Sequence, residues 1–152
     1  NKKRKKNILL AIPFPWKILD FFLSKFPYLL NLFEKGLKID CRKVFDIIAH
    51  GDSTPNKKPS PEIYEWALEK LRLPAQACVA IEDSPRGLDA ATKANITTIV
   101  TPSILTLNEE FKDAKLVISD LGEPDKNFEL IKGNSFGLKF VSVELLSKII
   151  GS

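Results

Sequence analysis

"VAIEDSPRGLDAA", residues 79–91, places two acids at the end of an apolar run and follows them at once with small and turn-forming residues. The nearest base is Arg86, three residues beyond Asp83. The run itself, "ACVAI" at 77–81, is continuous rather than alternating, as in a parallel strand covered on both faces. Behind the acids the spacing predicts a helix from about Pro85 to Ala94, with Leu88, Ala91 and Ala94 as its buried stripe. Asn95 is placed to end that helix in the left-handed conformation.

The same rhythm extends outward. Upstream, "GDSTPNKKPSP" at 51–61 is a loop by composition. Ser60 is the expected N-cap of a helix from Pro61 to about Arg72, with proline at its first position and Glu62 in its first turn. Ile63, Ala67, Leu68 and Leu71 supply its apolar face. Downstream, "ITTIV" at 96–100 and "KLVIS" at 115–119 read as further strands. "LGEPDKNFELIKGNSFG", 121–137, reads as loop, and the closing residues as a strand and a short helix. Before residue 51, "NILLAI" at 7–12 and "VFDIIAHGD" at 44–52 read as short strands, with a helix between them broken near Phe26 by Pro27. Strands alternating with helices of about ten residues imply an α/β fold, a parallel sheet with helices on both sides.

In open parallel sheets ligands sit outside the carboxyl ends of the strands, and Glu82 and Asp83 fall at such an end. Two readings are open. One is a solvated turn in which Asp83 or Ser84 caps the next helix. The other is a cation site: adjacent carboxylates partly removed from water repel each other, and a hard divalent ion, most simply Mg²⁺, relieves that. Magnesium characteristically joins one or two carboxylates to a substrate phosphate, which points to phosphate chemistry. Lys58, stiffened by Pro59 and by the helix start beyond it, is either a solvated loop lysine or a cation held against a phosphoryl oxygen or a carboxylate.

The chain has 152 residues, enough for one domain with a real core, and 44% hydrophobic and 28% charged residues, as in ordinary globular proteins. Its net charge of +4 comes from the leader: without the five bases at positions 2–6, 18 bases face 19 acids. That balance predicts no nucleic-acid surface. No apolar run is long enough to span a membrane, and "NKKRKKNILLAIPFPW" lacks the small-residue cleavage site of a signal peptide. No membrane partner is therefore expected, although the basic leader and aromatic stretch 16–33 are of the kind that binds anionic lipid. Cys41 and Cys78 have no metal-ligand spacing and suit a reducing cytoplasmic setting. The chain starts with Asn1 and contains no methionine, which reads as a fragment or a processed product.

Taken together, "KKPSPEIY", a helix, an apolar strand, "EDSPRGLDAA" and a second helix resemble the haloacid dehalogenase-like hydrolase superfamily. They are most similar to its CbbY-type and β-phosphoglucomutase-like phosphatases. "VTPS", "LGEPD" and the closing "GNSFGLKFVSVELLSKI" fit the same pattern. The resemblance covers roughly residues 44–150, and weakly 7–12. It implies a three-layer Rossmann-like parallel sheet, incomplete at its N-terminal side. It divides the chain into a divergent leader at 1–35, holding a remnant of the second motif strand, and a hydrolase core at 36–152. It implies that Lys58 is the third-motif lysine, catalytic and substrate-binding; that Asp83 is a direct Mg²⁺ ligand and Glu82 a supporting one; and that Ser84, a substrate-binding position, and Gly87 shape the turn beside the metal. A small phosphorylated sugar is the implied ligand.

The same resemblance sets what is missing. The family's nucleophile is an aspartate in "D-x-D-G-T", and no D-x-D occurs in this chain. Where a serine or threonine should end the second motif strand, the chain has Pro13, Phe14 and Pro15. The expectations are a Mg²⁺-dependent phosphatase piece inactive by itself, needing an N-terminal segment to complete its sheet, or a binding module that keeps the metal side of the core.

Overall fold

The computed structural model describes Ile47, Ala49 and residues 53–152. The leader and its boundary at residue 35, the strands expected at 7–12 and 44–52, and the helix expected between them lie outside the described residues, Ile47 and Ala49 apart. Within them, α1 (Glu62–Leu71) leads through a 3-10 turn at Ala75–Ala77 into β1 (Val79–Glu82). α2 (Pro85–Lys93), β2 (Thr97–Val100), β3 (Leu116–Ile118), β4 (Leu130–Gly133) and α3 (Val143–Ile150) follow.

The strands form one sheet in the order β1-β2-β3-β4. β1 pairs parallel with β2, Glu82 opposite Val100, and β2 pairs parallel with β3. Short parallel strands need a crossover, and α2 supplies the one between β1 and β2. β4 runs antiparallel to β3, with a register shift at Val117/Ile118. This corrects the sequence-based reading at one edge. The sheet is mostly, not wholly, parallel, and 121–137 holds a strand where a loop was expected. The closing segment holds α3 but no strand before it. β4 escapes pattern reading because all four of its residues are exposed, so neither alternation nor an apolar run marks it.

Side-chain alternation along β1 builds the two outer layers. Ala80, with Cys78 before the strand, packs against Ile63, Tyr64 and Ala67 of α1 and Ala90 and Ala91 of α2. Val79 packs on the opposite face with Ile99, Leu116 and Ile118 beneath Leu145, Leu146 and Ile149 of α3. A smaller cluster of Leu88, Val100, Phe111, Ala114 and Val117 extends the α2 side. Helices on both faces make this the three-layer α/β arrangement.

Caps settle the helix ends. Ser84 is the N-cap of α2, its hydroxyl accepting from the Gly87 N–H at 3.3 Å. Asn95 takes φ +57°, the left-handed residue the sequence calls for. α1 differs by one position: Pro61 rather than Ser60 occupies the N-cap, while the Ser60 hydroxyl still accepts from the Glu62 N–H at 3.4 Å.

Candidate active site at the end of β1

The strand period separates the two acids. Glu82 is the last residue of β1 and points, as Ala80 does, into the α1–α2 layer, where only 6% of it remains exposed. Asp83 lies just past the strand end and is half-buried. Instead of a symmetric pair, the turn offers one carboxylate inside and one at the rim.

Inside, Glu82 Oε1 receives both the Lys58 ammonium and the Tyr64 hydroxyl. The lysine side chain is only 12% exposed, and its ammonium lies 5.2 Å from the centroid of the Tyr64 ring. Tyr64 itself is fully buried on α1. The helix after "EDS" fixes the lysine's backbone: Arg86 of α2 donates to the Lys58 carbonyl at 2.5 Å. One segment thus holds Lys58 at both ends, its ammonium through Glu82 and its carbonyl through Arg86.

Lys58, Glu82, Asp83, Ser84 and Gly87 gather around the end of β1. Ser84 is engaged as the α2 cap. Gly87 sits in the first turn of α2 with no positive φ, directly over the Glu82 carboxylate, and its N–H donates to the Ser84 hydroxyl. A Cβ on Gly87 would stand 1.7 Å from Glu82 Oε2, so glycine is required there for space. Tyr64 was absent from the sequence-based site. Its signal was present: it stands beside Ile63 and three residues before Ala67, within the apolar stripe of α1, and a buried tyrosine needs a partner for its hydroxyl.

Burial pushes the Glu82 carboxyl above its ordinary value of 4.5; the Lys58 charge and the hydrogen bonds from Lys58 and Tyr64 pull the other way and do not offset it. Burial likewise pushes Tyr64 well above its ordinary range, with the Glu82 charge adding to it. A carboxyl raised on folding contributes stability that is present in full below about pH 4.5 and lost as pH rises through the folded-state value. The protein is therefore expected to lose stability relative to its Glu82→Gln variant as pH climbs out of the acid range. Urea midpoints of both proteins across that window test this, and a gain relative to the variant would contradict it.

Asp83 is the open group. Among the described residues its carboxylate has no hydrogen-bond partner, and no cluster of three or more acid, histidine or cysteine ligands forms. A half-buried carboxylate beside a neutralised neighbour fits one position of a hard-ion site. The described residues supply that one open ligand and do not close a coordination shell.

The chain is similar to known proteins over part of its length. Residues 31–101 match the family described as haloacid dehalogenase-like hydrolase. Over that stretch, somewhat less than half of the chain, the sequence is similar to those hydrolases, and its curated relatives include CbbY proteins. The protein CbbY of Cereibacter sphaeroides is 45% identical over 82 residues, covering 54% of this chain and 36% of that protein. The phosphorylated carbohydrates phosphatase of Thermotoga maritima is 41% identical over 66 residues, covering 43% and 31%. The crystal structure of CbbY from Rhodobacter sphaeroides in complex with phosphate superposes with a TM-score of 0.53 at 43% identity, over 55% of this chain and 37% of that one. A mutant of the same protein was solved in complex with xylulose-(1,5)bisphosphate. The chain spans about a third of the length of these curated relatives. Among the described residues no helix is long and apolar enough to cross a membrane.

Proposed function

We propose that this chain carries the metal and charge-stabilising half of a Mg²⁺-dependent phosphatase site for small phosphorylated sugars. The observation that carries the proposal is the division of labour at the end of β1: a half-buried Asp83 carboxylate left open beside a Lys58 ammonium held in place by buried Glu82. Relatives whose names and complexes involve phosphorylated carbohydrate, phosphate and a sugar bisphosphate support the substrate class.

In this reading Asp83 is the direct ligand of Mg²⁺, and Glu82 supports the site through Lys58. Bound there, the ion neutralises charge on a phosphoryl group. Lys58 has three ammonium protons and gives one to Glu82, so it can donate another to a phosphoryl oxygen. Burial of the lysine strengthens that contact by excluding water. Ser84, whose oxygen accepts from Gly87, keeps its own proton to offer a phosphate. No residue of the sequence stands in a D-x-D pair, so the proposal includes no attacking carboxylate. The 152-residue chain binds the ion and does not turn over by itself; a binding module using the same groups is the second reading, favoured by that same missing motif. A reducing cytoplasmic setting suits Cys78, a free and buried thiol.

The test uses the full 152-residue chain. Calorimetric titration with Mn²⁺, a stand-in for Mg²⁺, is expected to show binding that Asp83→Asn removes. p-Nitrophenyl phosphate with Mg²⁺ is expected to give no hydrolysis above background. Metal binding indifferent to Asp83→Asn would overturn the metal reading, and hydrolysis that depends on Asp83 would overturn the inactivity.

A further inference from the structure

The segment after β2 ties itself to the acidic turn at two successive carbonyls. The Thr101 N–H donates to the Glu82 carbonyl at 2.8 Å, extending the β1–β2 ladder by one bond. One residue on, the ladder has ended, and the next carbonyl is taken by a side chain. The Thr106 hydroxyl donates to the Asp83 carbonyl at 2.5 Å. That hydroxyl is itself oriented: it accepts from the Ser103 N–H at 3.0 Å and lies 3.1 Å from the Ser103 hydroxyl, while the Thr106 N–H closes a turn onto the Ser103 carbonyl at 3.0 Å. The Thr106 hydroxyl accepts from the Ser103 N–H, and of the two carbonyls within its reach that of Asp83, at 2.5 Å, is much nearer than that of Ser103, at 3.4 Å.

We infer that Thr106 is a positioning residue for Asp83, and that the 101–106 turn sets the direction of the metal-binding carboxylate. The inference rests on the proposed role of Asp83. It follows from where the constraint falls. Asp83 lies outside β1, its carboxylate has no protein partner among the described residues, and the Ser84 N-cap fixes the chain only on its far side. Between the Thr101 bond to the Glu82 carbonyl and the Ser84 cap, the Thr106 hydroxyl is the group bonded to the Asp83 carbonyl. Holding that carbonyl fixes ψ of Asp83, and the backbone conformation at a residue limits which side-chain rotamers, and so which carboxylate directions, it can adopt. A preorganised ligand binds its ion more tightly than one that must be ordered on binding. Partners that orient a ligand without touching the metal typically change affinity 10- to 100-fold when removed.

The experiment compares Thr106→Val, which keeps shape and removes the hydroxyl, with Thr106→Ser, which keeps the hydroxyl. Each is measured by Mn²⁺ titration of the full chain, by the backbone carbonyl ¹³C shift of Asp83 without metal, and by thermal unfolding. Thr106→Val is expected to bind Mn²⁺ about tenfold more weakly and to move the Asp83 carbonyl shift. Thr106→Ser is expected to restore both, at an unfolding midpoint close to that of the parent. Thr106→Val binding Mn²⁺ as the parent does would overturn the positioning role while leaving the metal role of Asp83 intact. A parent chain that binds no Mn²⁺ would overturn both together. Serine failing to restore what valine loses would assign the effect to packing and also overturn the inference.

Discussion

Replacing Glu82 with alanine is expected to destabilise the protein by about 3–5 kcal/mol, the usual cost of removing one partner from a buried ion pair. The carboxylate meets two groups that have nowhere else to turn. The Lys58 ammonium lies in a largely water-free position against Glu82, and the buried Tyr64 hydroxyl has no other acceptor among the described residues. Alanine leaves an uncompensated ammonium, an unsatisfied hydroxyl and a void beneath Gly87. The orphaned buried hydroxyl, with its own desolvation penalty of about 1–3 kcal/mol, puts the loss toward the upper end of the ion-pair range. Glu82→Gln is expected to cost less, because its amide oxygen can still accept from both donors although the counter-charge is gone. Equilibrium urea unfolding of the three proteins at neutral pH measures the order. Alanine and glutamine variants of equal stability would mean that the carboxylate is not the acceptor that holds this layer together.

The geometry behind that expectation was partly legible in the sequence. "EDSPRG" and "KKPSP" announced themselves through charge at a strand end and proline on either side of a helix start; a cap at Asp83 or Ser84 and the left-handed Asn95 followed from residue chemistry, and the structure places the cap at Ser84. What adjacency in sequence hid was direction. Glu82 and Asp83 read as a joint cradle for one cation, but strand residues alternate faces, and the turn after β1 carries Asp83 out of the sheet altogether. Tyr64 was hidden by its composition: counted among aromatics, it looked like core, and its hydroxyl draws attention only once the helix face and the strand face are known to meet. β4 was hidden for the opposite reason. An edge strand with exposed side chains buries too little apolar surface to leave a pattern, so only its pairing with β3 reveals it. Arg86 and Thr106 act through main-chain carbonyls, 28 and 23 residues away in sequence, and no local spacing encodes such contacts.

Gly87→Ala is expected to be destabilising by about 3 kcal/mol, against the helix propensity of the new residue. Alanine in the first turn of α2 would by itself gain about 1 kcal/mol over glycine. Space reverses the sign. The new Cβ would lie 1.7 Å from Glu82 Oε2 and 2.4 Å from its carboxyl carbon, distances no packing tolerates. A flexible side-chain tip elsewhere would swing aside at little cost. Here the tip is buried and tied to Lys58 and Tyr64, so moving it breaks both contacts. The double substitution separates this cause from any other. With Glu82→Ala already in place, the clashing atoms are gone, and Gly87→Ala should become neutral or regain about 1 kcal/mol through propensity. A penalty of the same size in both backgrounds would place the obstruction outside the Glu82 carboxylate, and with it the reason this position is glycine.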